Sequence, residues 1–239
     1  MAGEISRKQL EHDLAAAADS KRASNLAWFF KTGAGEYGEG DKFLGIRVPV
    51  QRKIALRYRE LPLREISHLL KSPVHEHRFC ALEILVAQYE RGDEAAREAV
   101  FRFYLRHTRR INNWDLVDTS APYIVGEHLG TRSRELLDEL AKSPLVWERR
   151  IAIVSTLALI RRGELEDTFR VAEKLLPDRH DLIQKASGWA LREAGRVSSA
   201  ALVSFLKKHY KALPRTTLRY AIERFAPGER KRMMAGEFR

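Results

Sequence analysis

The chain predicts an all-α protein, an α-solenoid built of HEAT-like antiparallel helix pairs. Apolar residues recur at helical spacing along nearly the whole length, separated by short breaks, and no stretch alternates in the manner of a strand. Leu82, Leu85, Val86 and Tyr89 stand at i, i+3, i+4 and i+7, and Leu136, Leu137 and Leu140 follow the same rule. Related phrases also recur: His77-Arg78-Phe79-Cys80-Ala81-Leu82, Arg149-Arg150-Ile151-Ala152-Ile153 and Gln184-Lys185-Ala186-Ser187-Gly188-Trp189 each set a basic residue ahead of small and apolar ones. Arg78, Trp114, Arg150 and Lys185 are spaced by 36, 36 and 35 residues, the period of stacked helix pairs. Equivalent positions of successive repeats line one surface, so these four residues are expected to share a basic face.

Taken in order, two helices are expected between about residues 5 and 32, the second carrying Leu26, Trp28, Phe29 and Phe30. Gly33, Gly35, Gly38, Gly40 and Gly45 then break the pattern, and the loop runs through Lys42-Phe43-Leu44-Gly45-Ile46-Arg47-Val48 to Pro49, which suits the first turn of a helix. A loop of this length is either functional, its Gly, Lys and Arg letting backbone amides approach phosphates, or a connector. Helices are expected over 49–59, 63–71, 74–91, 94–109, 114–129, 131–142, 146–162, 165–176, 181–195, 198–211 and 214–225. Asn113 reads as the cap of the 114–129 helix, and Pro122 within it removes a backbone hydrogen bond and should kink it.

Forty-three basic against 32 acidic residues give a net charge of +11 and a pI near 9.9, which points to a polyanionic partner, nucleic acid being the commonest. Charge alone does not separate DNA from RNA or from an anionic membrane surface. The single Cys80 rules out an internal disulfide and sits in an apolar helical stretch, where a thiol behaves as a small buried hydrophobe. No C-x-x-C or H-E-x-x-H signature is present, the first ten residues lack the apolar core of a signal peptide, and no stretch approaches the roughly eighteen apolar residues of a membrane span. These features predict a single cytoplasmic domain over 1–239, with a basic tail from about residue 227.

The chain centres on Asn112-Asn113-Trp114-Asp115-Leu116-Val117-Asp118. Four residues apart on a helix, Trp114 and Asp118 point the same way. A carboxylate beside a large aromatic, in so basic a chain, is either paired with an arginine or has chemistry to perform. Trp147 and Arg150 lie one turn apart, and Lys185, Trp189 and Arg192 form a further stripe. Interleaved aromatic and cationic side chains grip nucleic-acid backbones. The plainer alternative makes Trp189 core filler beside a solvated Arg192.

Asn113-Trp114-Asp115-Leu116-Val117-Asp118, Trp147-Glu148-Arg149-Arg150 and Gln184-Lys185-Ala186-Ser187-Gly188-Trp189-Ala190-Leu191-Arg192-Glu193, with the loop phrase Phe43-Leu44-Gly45-Ile46-Arg47-Val48-Pro49, resemble the bacterial AlkD family of DNA alkylation repair glycosylases. The likeness runs from about residue 5 to 225. It implies a C-shaped array that holds duplex DNA in a basic concave cleft and excises N3- and N7-alkylated purines without flipping the base. By the same resemblance Trp114, Asp118, Arg150 and Trp189 surround the lesion. Arg47, Arg52, Lys185, Arg192 and Arg196, as cations of the basic surface, are expected to meet DNA. One departure is Phe29, which stands where characterised members carry Tyr.

The chemistry follows independently. An N3- or N7-alkylated purine is cationic and already a good leaving group, so the burden falls on the sugar, whose oxocarbenium-like transition state Asp118 can stabilise while orienting a water. The faces of Trp114 and Trp189 favour that cation, and Arg150 either holds a phosphate or orients Asp118. No metal, nucleotide or redox cofactor is called for, and no lysine in the central motif offers a lyase step. The expected protein is a nucleoid-associated bacterial monomer. The alternative is a non-catalytic helical-repeat protein that binds structured DNA or RNA.

Overall fold

A computed structural model of the chain describes residues 6–238, so the expected first helical residue, Ile5, lies outside the described residues. The fold is all-α, consistent with an α-solenoid; among the described residues the one β-type feature is an isolated parallel bridge between Lys42 and Val74. Contacts divide the chain into two compact units, Met1–Ile124 and Val125–Arg239.

The first unit contains α1 (Arg7–Ala16), α2 (Ser20–Phe29), α3 (Val48–Arg57), α4 (Leu63–Leu70), α5 (His75–Arg91), α6 (Glu94–Arg106), a 3-10 turn (Thr108–Arg110) and α7 (Trp114–Ala121). Side-chain oxygens of Ser6, Asp19 and Asp93 accept from the amides of Gln9, Arg22 and Ala96, satisfying donors that a helix start leaves unpaired. Helix α5 is the hub, packed by α3, α4, α6 and α7. Its Leu82, Leu85 and Tyr89 are buried as the apolar spacing predicts. Cys80 is buried too, and burial pushes its thiol up, so it packs as a hydrophobe.

Pro122 brings α7 to an end in a π-helical turn, Pro122–Gly126, followed by α8 (Glu127–Leu129). The bond that proline cannot donate is absorbed by one widened turn. The second unit continues with α9 (Glu135–Ala141), α10 (Val146–Arg161), α11 (Glu166–Lys174), α12 (Asp181–Val197), α13 (Ser199–His209), α14 (Arg215–Ala221) and α15 (Pro227–Met234). Helix α10 is buried from Arg150 to Ile160, and α12 packs on α10, α13 and α14. The stretch expected as a basic tail from about 227 forms α15, opened by Pro227 and held by Tyr210 Oη and an Arg215 nitrogen, which donate to the Met234 carbonyl at 3.0 and 2.6 Å.

The repeat has a concrete structural signature. The amides of Val74, Leu145 and His180 donate to Ser72 Oγ, Ser143 Oγ and Asp178 Oδ1 at 3.1, 3.0 and 2.8 Å, and each of these three residues precedes a helix. Inside those helices Arg78, Arg149 and Gln184 reach back six residues to the carbonyls of Ser72, Ser143 and Asp178, at 2.8, 2.9 and 3.0 Å. The structural equivalents of Arg78 are therefore Arg149 and Gln184, one position before the expected Arg150 and Lys185. Arg78 does not line an open face: it is 3% exposed and paired with Asp41 at 2.7 Å. A long donor at this position satisfies a turn carbonyl that has no helical partner.

Gly45 tests how the first unit closes. Its φ is +84° and an added Cβ would lie 2.1 Å from the Asp19 carbonyl oxygen, at the start of α2. Gly45→Ala is expected to lower stability by about 2–3 kcal/mol, from the left-handed backbone and the forced separation from α2, measured by urea unfolding.

Candidate active site

Asn113, extended at φ −149° and fully buried, accepts from the Trp114 amide through Oδ1 at 2.8 Å and so starts α7. The half-buried Trp114 ring stacks on Phe30 with centroids 5.2 Å apart and planes at 16°, and meets the edge of Phe29 at 6.1 Å. Phe30 in turn stacks on Phe43 of the glycine-rich loop at 5.1 Å, and both lie against the ring of His75, at 5.0 and 4.7 Å. One face of the indole is thereby held by an aromatic stack that draws on α2, the loop and α5. One turn further along α7, Asp118 is also half-buried. Burial first, and then the Asp118 charge, push the buried Tyr104 phenol up, although its bond to Ser120 acts the other way.

Behind Trp114 lies a buried charge network. His75, 3% exposed, pairs through Nε2 with Asp115 Oδ2 at 2.7 Å and through Nδ1 with Asp41 Oδ2 at 3.1 Å, and Arg78 pairs with Asp41. Burial disfavours the imidazolium, but the Asp115 charge and the hydrogen bonds to Asp115 and Asp41 outweigh it, and His75 is pushed up to about 9.

The loop is not a phosphate cradle at Gly33, Gly35 or Gly45. The fully buried Glu76 accepts from the amides of Leu44, Gly45 and Ile46 at 2.9, 2.8 and 3.3 Å. Glu36 and Glu39 likewise accept from the amides of Gly33 and Gly35. Arg47 is exposed where α3 begins, and Arg52 on α3 bonds Glu83 and Thr119 at 3.1 and 3.3 Å.

In the second unit Trp189, on α12, is half-buried in a cleft with Leu157, Ile160, Arg161, Glu193, Arg196 and Val197. Arg150 corrects the expectation of a residue on an open surface. It is 5% exposed and donates to the Leu182 carbonyl at 2.6 Å, tying α10 to the first turn of α12. Trp147 is core. Lys185 pairs with Asp181 at 2.7 Å, Arg192 with Glu193 and Glu223, and the exposed Arg196 with Glu193 at 3.0 Å. Sequence reasoning missed His75, Asp41, Phe30 and Phe43 as neighbours of Trp114. Only Asp115, inside the central motif, was in view.

A family model described as DNA alkylation repair enzyme matches residues 10–225, about nine-tenths of the sequence. The chain belongs to that family. Its fold is shared with a structure from Enterococcus faecalis, named a predicted DNA alkylation repair enzyme, at a TM-score of 0.69 and 18% identity over 88% of this chain and 97% of that one. No curated protein matches in sequence. Membership makes DNA the substrate. Among the described residues no group of three or more His, Cys, Asp and Glu could hold a metal, and no helix is long and apolar enough to cross a membrane.

The His75 network sets a pH signature. A folded pKa of about 9 above an ordinary 6.5 means stability is fully present below 6.5 and is lost as pH rises through about 9. Urea unfolding across that window should show a fall of about 3 kcal/mol, absent in His75→Gln.

Proposed function

We propose that this member of the DNA alkylation repair enzyme family is a monofunctional glycosylase. It hydrolyses the N-glycosidic bond of N3- and N7-alkylated purines in duplex DNA, as a monomer and without rotating the base into a pocket. The observation that supports this most directly is the pairing on α7 of a half-buried indole, stacked on one face by Phe30, with a half-buried carboxylate one turn on.

The alkylated purine is cationic and departs neutral as the C1′–N bond breaks, so no general acid is required. Asp118 stabilises the positive charge that gathers on C1′ and the ring oxygen, and directs a water to C1′. The water's proton passes to Asp118 and then to solvent, leaving an abasic sugar. Trp114 sets its electron-rich ring against the same charge. Trp189, with Arg196 beside it, holds DNA from the second unit. Arg150 orders the first turn of α12, on which Lys185 and Trp189 ride.

Asp118→Asn keeps shape and removes the charge. Single-turnover release of 7-methylguanine, with enzyme in excess, should slow by about a hundredfold or more while affinity for undamaged duplex stays level or rises. Excision at the parental rate would make Asp118 a structural partner. Duplex binding by a parent that releases no base would leave a non-catalytic binder. Trp114→Ala and Trp189→Ala should slow release with some loss of binding.

Binding to undamaged duplex should weaken steeply with salt, because phosphate neutralisation dominates it. Arg196→Ala should flatten the log–log slope by about one unit, and Arg192→Ala by less, since Arg192 is engaged by two carboxylates and largely covered. Titration of a labelled duplex at several salt concentrations measures both.

A further inference from the structure

We propose that His75 is a positioning residue for excision. Buried and clamped between Asp41 and Asp115, stacked on Phe43 and lying against the tilted ring of Phe30, it fixes the first turn of α7 and so holds the Trp114 ring and Asp118 in place. This rests on the proposed function of Trp114 and Asp118.

Two independent routes lead from His75 to Trp114. The first is polar: Nε2 donates to Asp115 Oδ2 at 2.7 Å, and Asp115 directly follows Trp114 in α7 while its other oxygen accepts from the Leu116 amide at 2.9 Å. The second is through rings: His75 lies 5.0 Å from Phe30, and Phe30 stacks on Trp114 at 5.2 Å. The expected equivalents of His75 in the second unit are Val146 and Asp181, the first residues of α10 and α12, so the repeat itself does not require an imidazole here. The charged groups facing His75 are Asp41 from the loop, Arg78 one turn along α5 and Asp115 from α7. Glu76, next in sequence, turns away to the loop amides.

Arg78 balances one carboxylate, and the imidazolium is the balance for the other. Deprotonated, His75 carries no charge and can donate through one nitrogen only; Asp41 keeps Arg78 as its cation, while Asp115 keeps only the Leu116 amide and loses its counter-charge. A largely covered carboxylate without a counter-charge is costly, and Asp115 is the more exposed of the two, at 17% against 5%, so α7 is the side free to shift toward water. That shift moves Trp114 and Asp118 without touching DNA-binding cations elsewhere.

The test combines kinetics with a probe independent of activity. His75→Gln should lower the saturating single-turnover rate of 7-methylguanine release by about tenfold or more, with affinity for undamaged duplex within about threefold of the parent. The double variant His75→Gln with Asp115→Asn, which restores a neutral hydrogen-bonded pair, should recover most of the rate lost. If His75→Gln does not fold, Asp115→Asn serves in its place and should show the same split. In parent protein carrying 5-fluorotryptophan, the fluorine resonance assigned by its loss in Trp114→Phe should move with pH with a midpoint near 9, and should stay fixed in the variant. An unchanged rate in a folded variant, equal loss of binding and rate, or a Trp114 resonance that ignores pH in the parent would overturn the inference. A parent that releases no base would refute the proposed glycosylase, while the resonance would still decide whether His75 governs Trp114.

Discussion

The first unit depends on a chain of buried charges: Arg78 to Asp41, Asp41 to His75, His75 to Asp115. It joins three elements that are far apart in sequence, the glycine-rich loop, α5 and α7. Ionised groups are expensive to bury, and such a network is stable only when every member has its counter-charge and hydrogen bonds. That all-or-none character suits the base of a site whose parts must not drift. Glu76 adds a second clamp, turning the loop amides of Leu44, Gly45 and Ile46 inward and presenting Phe43 to the aromatic stack. The loop therefore serves as a wall of the proposed site, with the amides of Gly33, Gly35, Leu44, Gly45 and Ile46 taken by the protein's own carboxylates.

The repeat accounts for where the site falls. In three copies a Ser or Asp side chain caps the turn, and a long donor six residues on returns to the same residue's carbonyl. The spacing predicts a fourth copy starting near Ile111. There the chain instead makes a 3-10 turn and begins its helix three residues later, at Trp114. The central copy has Asn113 as its cap and an indole in the first turn. That turn is held by Asp115 with His75. A departure from local regularity at the very copy that carries Trp114 and Asp118 is what a functional position looks like in an otherwise self-consistent array.

Most of the helices were legible in the sequence because burial writes its period directly into α5, α10 and α12. The Trp114 and Asp118 pair was legible for the same reason: helix geometry alone puts residues four apart on one face. Arg150 was misplaced because periodicity fixes a spacing and not a phase. A slip of one residue turns a side chain by about 100° on a helix, enough to exchange an open surface for the Leu182 carbonyl. His75, Asp41 and Phe43 were invisible as partners of Trp114 because they meet it only through tertiary packing. The end of the chain was underread for another reason. Basic residues from Arg230 to Arg232 suggested a tail, whereas Pro227 at the first turn and Glu229 reaching back to the Ala226 amide start a helix.

The surface cations raise a last physical question, since a chain of net charge +11 nevertheless pairs many of its exposed arginines with its own carboxylates. Arg196 holds Glu193, Arg52 holds Glu83, and Lys185 holds Asp181. Pairs of this exposure contribute only about 0–1 kcal/mol each, so exchanging a carboxylate for a phosphate costs little. Releasing condensed counterions from DNA contributes more than that for every phosphate met. Paired arginines are therefore no obstacle to binding; they are held extended and ready, with less side-chain entropy left to lose on contact. Affinity then follows the excess of cations over carboxylates across the surface, while Asp118, the carboxylate proposed to act in the chemistry, is set apart by its place on α7 beside an indole.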